Sequence, residues 1–208
     1  MTDALTAVAA QRIVPVVTIE DARTAKDLGR ALRSAGANTV EITFRSEAAV
    51  GAMAALAQAG FLVGAGTVRS IDQADAAVAA GASFVVSPGL DHAVVEHCAS
   101  IGLTALPGVA TASELGEALS LGISTVKLFP AEAIGGVALI RALAAPFPEA
   151  RFVPTGGLNA ENARDYLALA QVPAIGGSWM VAPSLLTTGD WEEVERLTAE
   201  ALALGRDS

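Results

Sequence analysis

Residues 36–67 read GANTVEITFRSEAAVGAMAALAQAGFLVGAGT, and the order of events within this stretch decides the fold. Residues 38–44 carry β-branched side chains with polar and apolar positions alternating, which is the pattern of a strand. Residues 47–59 are alanine-rich with helical spacing. Gly60 stands where that helix has to stop, because glycine enters the left-handed backbone region without steric cost. A second β-rich run follows at 61–67. Strand, helix and strand in this order make a parallel pair joined by a right-handed crossover.

The same unit repeats outward in both directions. β-rich runs occupy 13–18, 38–44, 61–67, 83–88, 103–107, 124–130, 151–156 and 172–178. Helical segments read at 21–35, 47–59, 91–100 and 160–170, and each interval has room for one helix. Ser70 with Gln73, and Thr111 with Glu114, have the spacing of capping boxes. Gly36, Gly60, Gly81, Gly102 and Gly122 fall one or two residues before the next strand, at helix stops. Eight such units in 208 residues predict an α/β protein of the closed (β/α)8 TIM-barrel type, one domain over 1–208, with a short N-terminal helix across the barrel bottom. An open doubly wound sheet is the alternative, although six strands are more usual for it.

Composition narrows the partners. Hydrophobic residues make up 52% of the chain and aromatics 4%, so alanine, valine and leucine carry the core and suit small helices on a valine-rich sheet. The net charge is −9, and no Lys/Arg cluster could follow a phosphate backbone, so no nucleic-acid partner is expected. Apolar stretches are broken well before membrane-spanning length. Cys98 is the single cysteine and cannot form an internal disulfide. With no basic-then-apolar leader from Met1 to Leu5, a soluble cytoplasmic protein is expected.

Lys127 is one of only two lysines, and it lies between Val126 and Leu128 in a strand-like run where reaching water is difficult. Desolvation disfavours an ammonium group, and a free amine in a pocket is a nucleophile suited to forming Schiff bases with ketones. A structural lysine paired with an acid is the competing reading. Period-two alternation puts Glu41, Thr43 and Arg45 on one face of the second strand, with Val40, Ile42 and Phe44 on the other. In the sixth strand Thr125 and Lys127 share the inward face. Barrel active sites lie at the carboxyl ends of the strands, and even-numbered strands feed one interior layer, so Glu41 and Lys127 can meet. A buried pair that only holds register is the plain alternative, and the desolvation of two ions counts against it. Arg45, nearer the mouth, suits a carboxylate ligand. Thr67 ends Gly64-Ala65-Gly66-Thr67, where small residues allow close approach.

Two glycine-rich turns follow the last two strands: Pro154-Thr155-Gly156-Gly157-Leu158 and Ile175-Gly176-Gly177-Ser178. Either alone could be a plain turn, but both stand where barrels commonly bind phosphate. The only histidines, His92 and His97, are five apart and do not share a helix face. They read as surface residues, and Trp179, Trp191, Phe44 and Phe152 as packing anchors. No His/Cys/Asp cluster has metal-ligand spacing, and no dinucleotide fingerprint or P-loop occurs, so neither metal nor cofactor is expected.

Taken in order, Val40-Glu41-Ile42-Thr43-Phe44-Arg45, Gly64-Ala65-Gly66-Thr67-Val68, Ser87-Pro88-Gly89, Val126-Lys127-Leu128-Phe129-Pro130-Ala131-Glu132, Pro154-Thr155-Gly156-Gly157 and Gly176-Gly177-Ser178-Trp179 resemble one family. The chain is similar to the 2-dehydro-3-deoxy-6-phosphogluconate and 4-hydroxy-2-oxoglutarate aldolases from about Ile13 to Trp191, with no departure at a motif position. The resemblance implies a class I aldolase in which Lys127 forms the Schiff base and Glu41 is the acid/base. It further implies that Arg45 and Thr67 hold the keto-acid carboxylate and that Pro88 and Phe129 line the pyruvyl pocket. Thr155, Gly156, Gly157, Gly177 and Ser178 would receive the rest of a phosphorylated keto-acid substrate. A homotrimer is implied as well. Sibling aldolases acting on the galactonate epimer or on unphosphorylated 4-hydroxy-2-oxoglutarate fit the same residues, and a non-catalytic sugar-phosphate-binding or assembly barrel is the rival of another class.

Overall fold

The computed structural model describes residues 4–206; Met1 to Asp3, where the reading for a targeting leader begins, lie outside them. The parallel strands are β1 (Ile13–Val17), β2 (Thr39–Thr43), β3 (Leu62–Gly66), β4 (Phe84–Val86), β5 (Thr104–Leu106), β6 (Gly108–Val109), β7 (Thr125–Leu128), β8 (Arg151–Pro154) and β9 (Ile175–Gly177). The helices are α1 (Ala4–Gln11), α2 (Ala25–Ser34), α3 (Ala49–Gln58), α4 (Ile71–Ala79), α5 (His92–Ser100), α6 (Ala112–Ser120), α7 (Gly136–Ala144), α8 (Ala163–Leu167), α9 (Pro183–Thr188) and α10 (Trp191–Arg206). Strand and helix alternate along the chain, as the composition of residues 36–67 predicts.

Local chemistry accounts for the boundaries. Ser70, Asp91 and Thr111 cap α4, α5 and α6 by accepting from the N–H three residues on, and Thr111 with Glu114 completes a reciprocal capping box. Gln73 departs from the expected box, because its side chain reaches back to the Arg69 N–H. The five stop glycines, Gly36, Gly60, Gly81, Gly102 and Gly122, all have φ between +70° and +94°. The run expected at 103–107 is β5, and extended backbone resumes beyond it as β6, the two separated by Pro107, which has no N–H for the ladder. The helix expected at 160–170 is reduced to α8, since Asn159 and Asn162 spend their side chains on a turn: Asn159 Oδ1 accepts from the N–H groups of Glu161 and Asn162.

Hydrogen bonding orders the strands as β5-β4-β3-β2-β1-β9 in one sheet and β6-β7-β8 in another. A bridge between Thr155 and Gly176 joins β8 to β9, and the Lys127 N–H donates to Pro107 O at 2.9 Å. The sheets are curled, with apolar clusters on both faces, which explains why the strands read as nearly continuous hydrophobic runs. The larger cluster packs the sheets against the helices and includes Val40, Ile42, Val126, Leu128 and Phe152. The smaller, inner cluster joins Val14, Phe84, Val86, Leu106, Val153 and Ala174 to Ala4 and Val8 of α1. Helix α1 therefore covers the amino ends of the strands. Arg12 fastens this end. Its guanidinium donates to the carbonyls of Leu167, Val172, Pro173 and Gly205.

Among the anchors, Phe152 is buried, and Phe44, Trp179 and Trp191 pack partly buried against the larger cluster. Cys98 is free and buried. His92 and His97 lie on α5 at the surface and pair with Glu117 on α6 and Asp75 on α4. No helix among the described residues is long and apolar enough to cross a membrane.

Candidate active site

At the carboxyl ends of the strands a cavity of about 200 Å³ is lined by Glu41, Arg45, Thr67, Lys127, Phe129, Thr155, Gly156, Gly157, Gly177 and Ser178. Residues from five separate stretches of sequence thus meet in one place. Pro88 is the exception among the expected site residues. It is half-buried in the turn after β4 and is not among the residues lining this cavity. Its carbonyl instead backs onto the Gly108 Cα, where an added Cβ would lie 2.3 Å away.

Lys127 and Glu41 form the centre of the cavity. Lys127 Nζ stands 3.7 Å from Glu41 Oε1, and each side chain is 6% exposed. That separation allows Coulomb attraction but is too long for a hydrogen bond. Glu41 Oε1 indeed accepts no hydrogen bond from any described residue, which is rare for a buried carboxylate oxygen. A pair built only for register would close this gap, because a buried acceptor left unsatisfied costs about 1–3 kcal/mol. The open distance instead leaves the amine and the carboxylate able to act on one small molecule from two sides. Lys127 Nζ also lies 5.0 Å from the centre of the Phe129 ring, which provides one apolar wall.

Gly66 fixes the carboxylate. A Cβ at this position would fall 2.2 Å from Glu41 Oε1, so the side chain lies directly across the glycine. The next residue, Thr67, has φ +59°, in the left-handed region that a β-branched residue rarely enters. Strain of this kind costs on the order of 1–3 kcal/mol and persists where the surroundings enforce it, commonly at ligand sites. Arg45 is exposed at the mouth, and among the described residues no carboxylate pairs with its guanidinium. Gly156 and Gly157 have φ +99° and +81°, and the N–H groups of Gly157 and Leu158 donate to no protein acceptor among the described residues. Backbone donors left open in this way suit an anion.

Sequence reasoning missed two paired hydroxyls that line the same cavity. Thr18 Oγ1 and Thr43 Oγ1 are 2.9 Å apart, and Thr43 Oγ1 donates to Val17 O at 3.1 Å. Alternation had already put Thr43 on the inner face, so the available signal was its pairing with the residue at the end of β1. A larger cavity, about 490 Å³, opens at the amino ends beside Gln11, Asn38, Thr39 and Leu202. Among the described residues no buried ionisable pair faces it. The Gln11 carboxamide there is fully engaged, donating to Ile13 O and Thr39 O and accepting from the Asn38 and Thr39 N–H groups. Volume alone does not make that groove the chemical site. Among the described residues no three His, Cys, Asp or Glu side chains converge as a metal site.

Comparison with known proteins agrees with this geometry. The family model described as KDPG and KHG aldolase matches residues 5–197. A 2-dehydro-3-deoxy-phosphogluconate aldolase of Treponema pallidum is 47% identical over 195 residues, covering 93% of each chain. A KHG/KDPG aldolase of Escherichia coli is 40% identical over 192 residues, 91% of this chain and 90% of its own. The crystal structure of KDPG aldolase from Legionella pneumophila, with pyruvate captured as a covalent carbinolamine intermediate, superposes with a TM-score of 0.92 at 36% identity, over 95% of this chain and 97% of that one.

Proposed function

Because this chain belongs to the KDPG and KHG aldolase family, we propose that it cleaves 2-dehydro-3-deoxy-6-phosphogluconate to pyruvate and glyceraldehyde 3-phosphate through a Schiff base on Lys127. The observation that carries the reading is the buried, unclosed Lys127–Glu41 pair facing the cavity. Neutral Lys127 adds to the C2 ketone, and Glu41 moves protons as the carbinolamine loses water. The protonated imine then draws electrons from the breaking C3–C4 bond while Glu41, directly or through water, takes the proton of the C4 hydroxyl. Glyceraldehyde 3-phosphate leaves. The remaining enamine is protonated at C3, and hydrolysis of the imine releases pyruvate and restores the amine. The iminium supplies the polarisation that a metal supplies in other aldolases, so the reading requires none.

Arg45 and the strained Thr67 are assigned to the keto-acid carboxylate, and Phe129 to the pyruvyl wall. Thr155 and the turns at Gly156-Gly157 and Gly177-Ser178 are assigned to the distal, phosphorylated end. The reading also takes the two sheets as one closed (β/α)8 barrel in a single domain. The Thr155–Gly176 bridge and the continuity of β5 into β6 support that closure. A cytoplasmic homotrimer completes it.

The direct test is sodium borohydride reduction with pyruvate, followed by peptide mass spectrometry. A reduced pyruvyl adduct on Lys127 is the expected result; no adduct, or one on Lys26, would overturn the mechanism. Comparing kcat/KM on the gluconate and galactonate epimers and on 4-hydroxy-2-oxoglutarate then ranks the substrates.

A further inference from the structure

The Gly156-Gly157 turn is held from behind by two side chains that the cleavage chemistry does not use. Tyr166, on α8 and 1% exposed, donates its hydroxyl to Glu132 Oε1. Burial, and then this bond, push the phenol above its ordinary range, so it remains a donor at neutral pH. Glu132 opens the short helical turn Glu132–Ile134, four residues past Leu128 of the strand that carries Lys127. Its N–H donates to Gly156 O at 3.1 Å, and the Ala131 N–H donates to Thr155 O at 2.9 Å. The Glu132 side chain then lies against the turn itself: a Cβ at Gly157 would fall 2.6 Å from Glu132 Cβ. On the other side, a Cβ at Gly136 would fall 2.7 Å from Tyr166 Oη and 3.0 Å from Glu132 Oε1. The pair is gripped between two glycines with φ +81° and +54°. Asn162 completes the enclosure, donating from Nδ2 to Gly157 O at 3.2 Å.

The plain account is that Glu132 merely satisfies a buried phenol. It leaves unexplained why the acceptor is the residue whose backbone carries the turn, and why glycine stands on both sides of the pair. We propose that Glu132 and Tyr166 are positioning residues that set the backbone donors of the Gly156-Gly157-Leu158 turn for the substrate phosphate, and so favour phosphorylated over unphosphorylated keto acids. The proposal rests on the aldolase reading and adds to it the element that holds the phosphate end in place. Neither side chain lines the cavity, so losing the pair acts on the phosphate end and leaves the imine chemistry intact.

The experiment compares Tyr166→Phe, Glu132→Ala and the double variant with the unaltered enzyme. The readouts are KM and kcat on 2-dehydro-3-deoxy-6-phosphogluconate and on 4-hydroxy-2-oxoglutarate, competition by inorganic phosphate, and borohydride trapping of pyruvate. Tyr166→Phe keeps the buried ring and removes only the hydroxyl, which separates this role from packing. KM for the phosphorylated substrate and the inhibition constant of inorganic phosphate are expected to rise about tenfold, the size of one lost bond to a charged group. The values of kcat, KM for the unphosphorylated substrate, and pyruvate trapping stay as they were. The double variant is no worse than either single one, because the two residues act as a unit. Equal losses on both substrates, or unchanged phosphate competition in Tyr166→Phe, would overturn the proposal. Failure of the aldolase reading looks different: the unaltered enzyme traps no pyruvate, and calorimetric titration with inorganic phosphate then decides whether the pair still governs anion binding.

Discussion

At the amino ends of the strands, Val14, Phe84, Val86, Leu106, Val153 and Ala174 make an apolar layer under α1, whereas at the carboxyl ends Glu41, Thr43, Lys127 and Thr155 are buried polar residues around a cavity. The same inward face supplies both. In β8 the switch takes two residues, from Val153 to Thr155, and along β1 it runs from Val14 through Val16 to Thr18. Alternation decides only that a side chain points inward. Its height along the strand decides whether it serves packing or chemistry, and this division of labour is general for parallel α/β enzymes.

That contrast is sharpest if each end can be broken without the other. Lys127→Met should reduce kcat by about 10⁴-fold or more while the protein still folds, at a cost of up to about 3–5 kcal/mol because Glu41 is left buried without its cation. Full activity in this variant would remove the contrast altogether. Glu41→Gln should lower kcat by about 10²- to 10⁴-fold, the usual range for a positioned acid/base, and still bind pyruvate. An unchanged kcat would take Glu41 out of the role. The reverse experiment is Phe84→Ala, which should cost about 3–5 kcal/mol in denaturant unfolding with kcat retained in the folded fraction. A variant as stable as the parent would show that the inner layer is not where stability resides. The smallest effect is expected at the rim. Arg45→Ala should raise KM for the keto acid by about 10- to 100-fold, one charge-assisted contact, with kcat little altered.

Most of the scaffold was legible because its signals are local. The stop glycines reveal themselves through left-handed backbone, the caps through three-residue spacings, and the inward set through alternation within a strand. The acid and the amine were also legible, because a charge inside a β-rich run has few places to go. What escaped depended on contacts between distant segments. The break at Pro107 follows from one missing N–H in a ladder whose partner is 20 residues away, where Lys127 donates to Pro107 O. Tyr166 and Glu132 are 34 residues apart, and neither spacing nor composition announces that they touch. Thr18 and Thr43 meet because β1 and β2 pair in a register that only the folded sheet fixes. At Pro88, expected at the pocket, the carbonyl lies against Gly108, an approach of two backbones that no local spacing announces.

The pairing of β1 with β9 has a consequence for the newborn chain. Ile13 lies in register with Ile175, and the Arg12 guanidinium reaches Gly205 across a separation of 193 residues. At ribosomal rates of about 5–20 residues per second, one edge of the first strand waits on the order of ten seconds for its neighbour to be made. An open hydrophobic edge invites association with other nascent chains. Pro15, in the middle of Ile13-Val14-Pro15-Val16-Val17, leaves that edge intact: Arg12 O accepts from the Ile175 N–H, so alternate residues Arg12, Val14 and Val16 face β9, while the donor missing at Pro15 faces β2, where Gln11 Nε2 serves Thr39 O instead. The edge that waits therefore keeps its Val14 and Val16 donors throughout, and the first strand is closed only when synthesis is nearly finished.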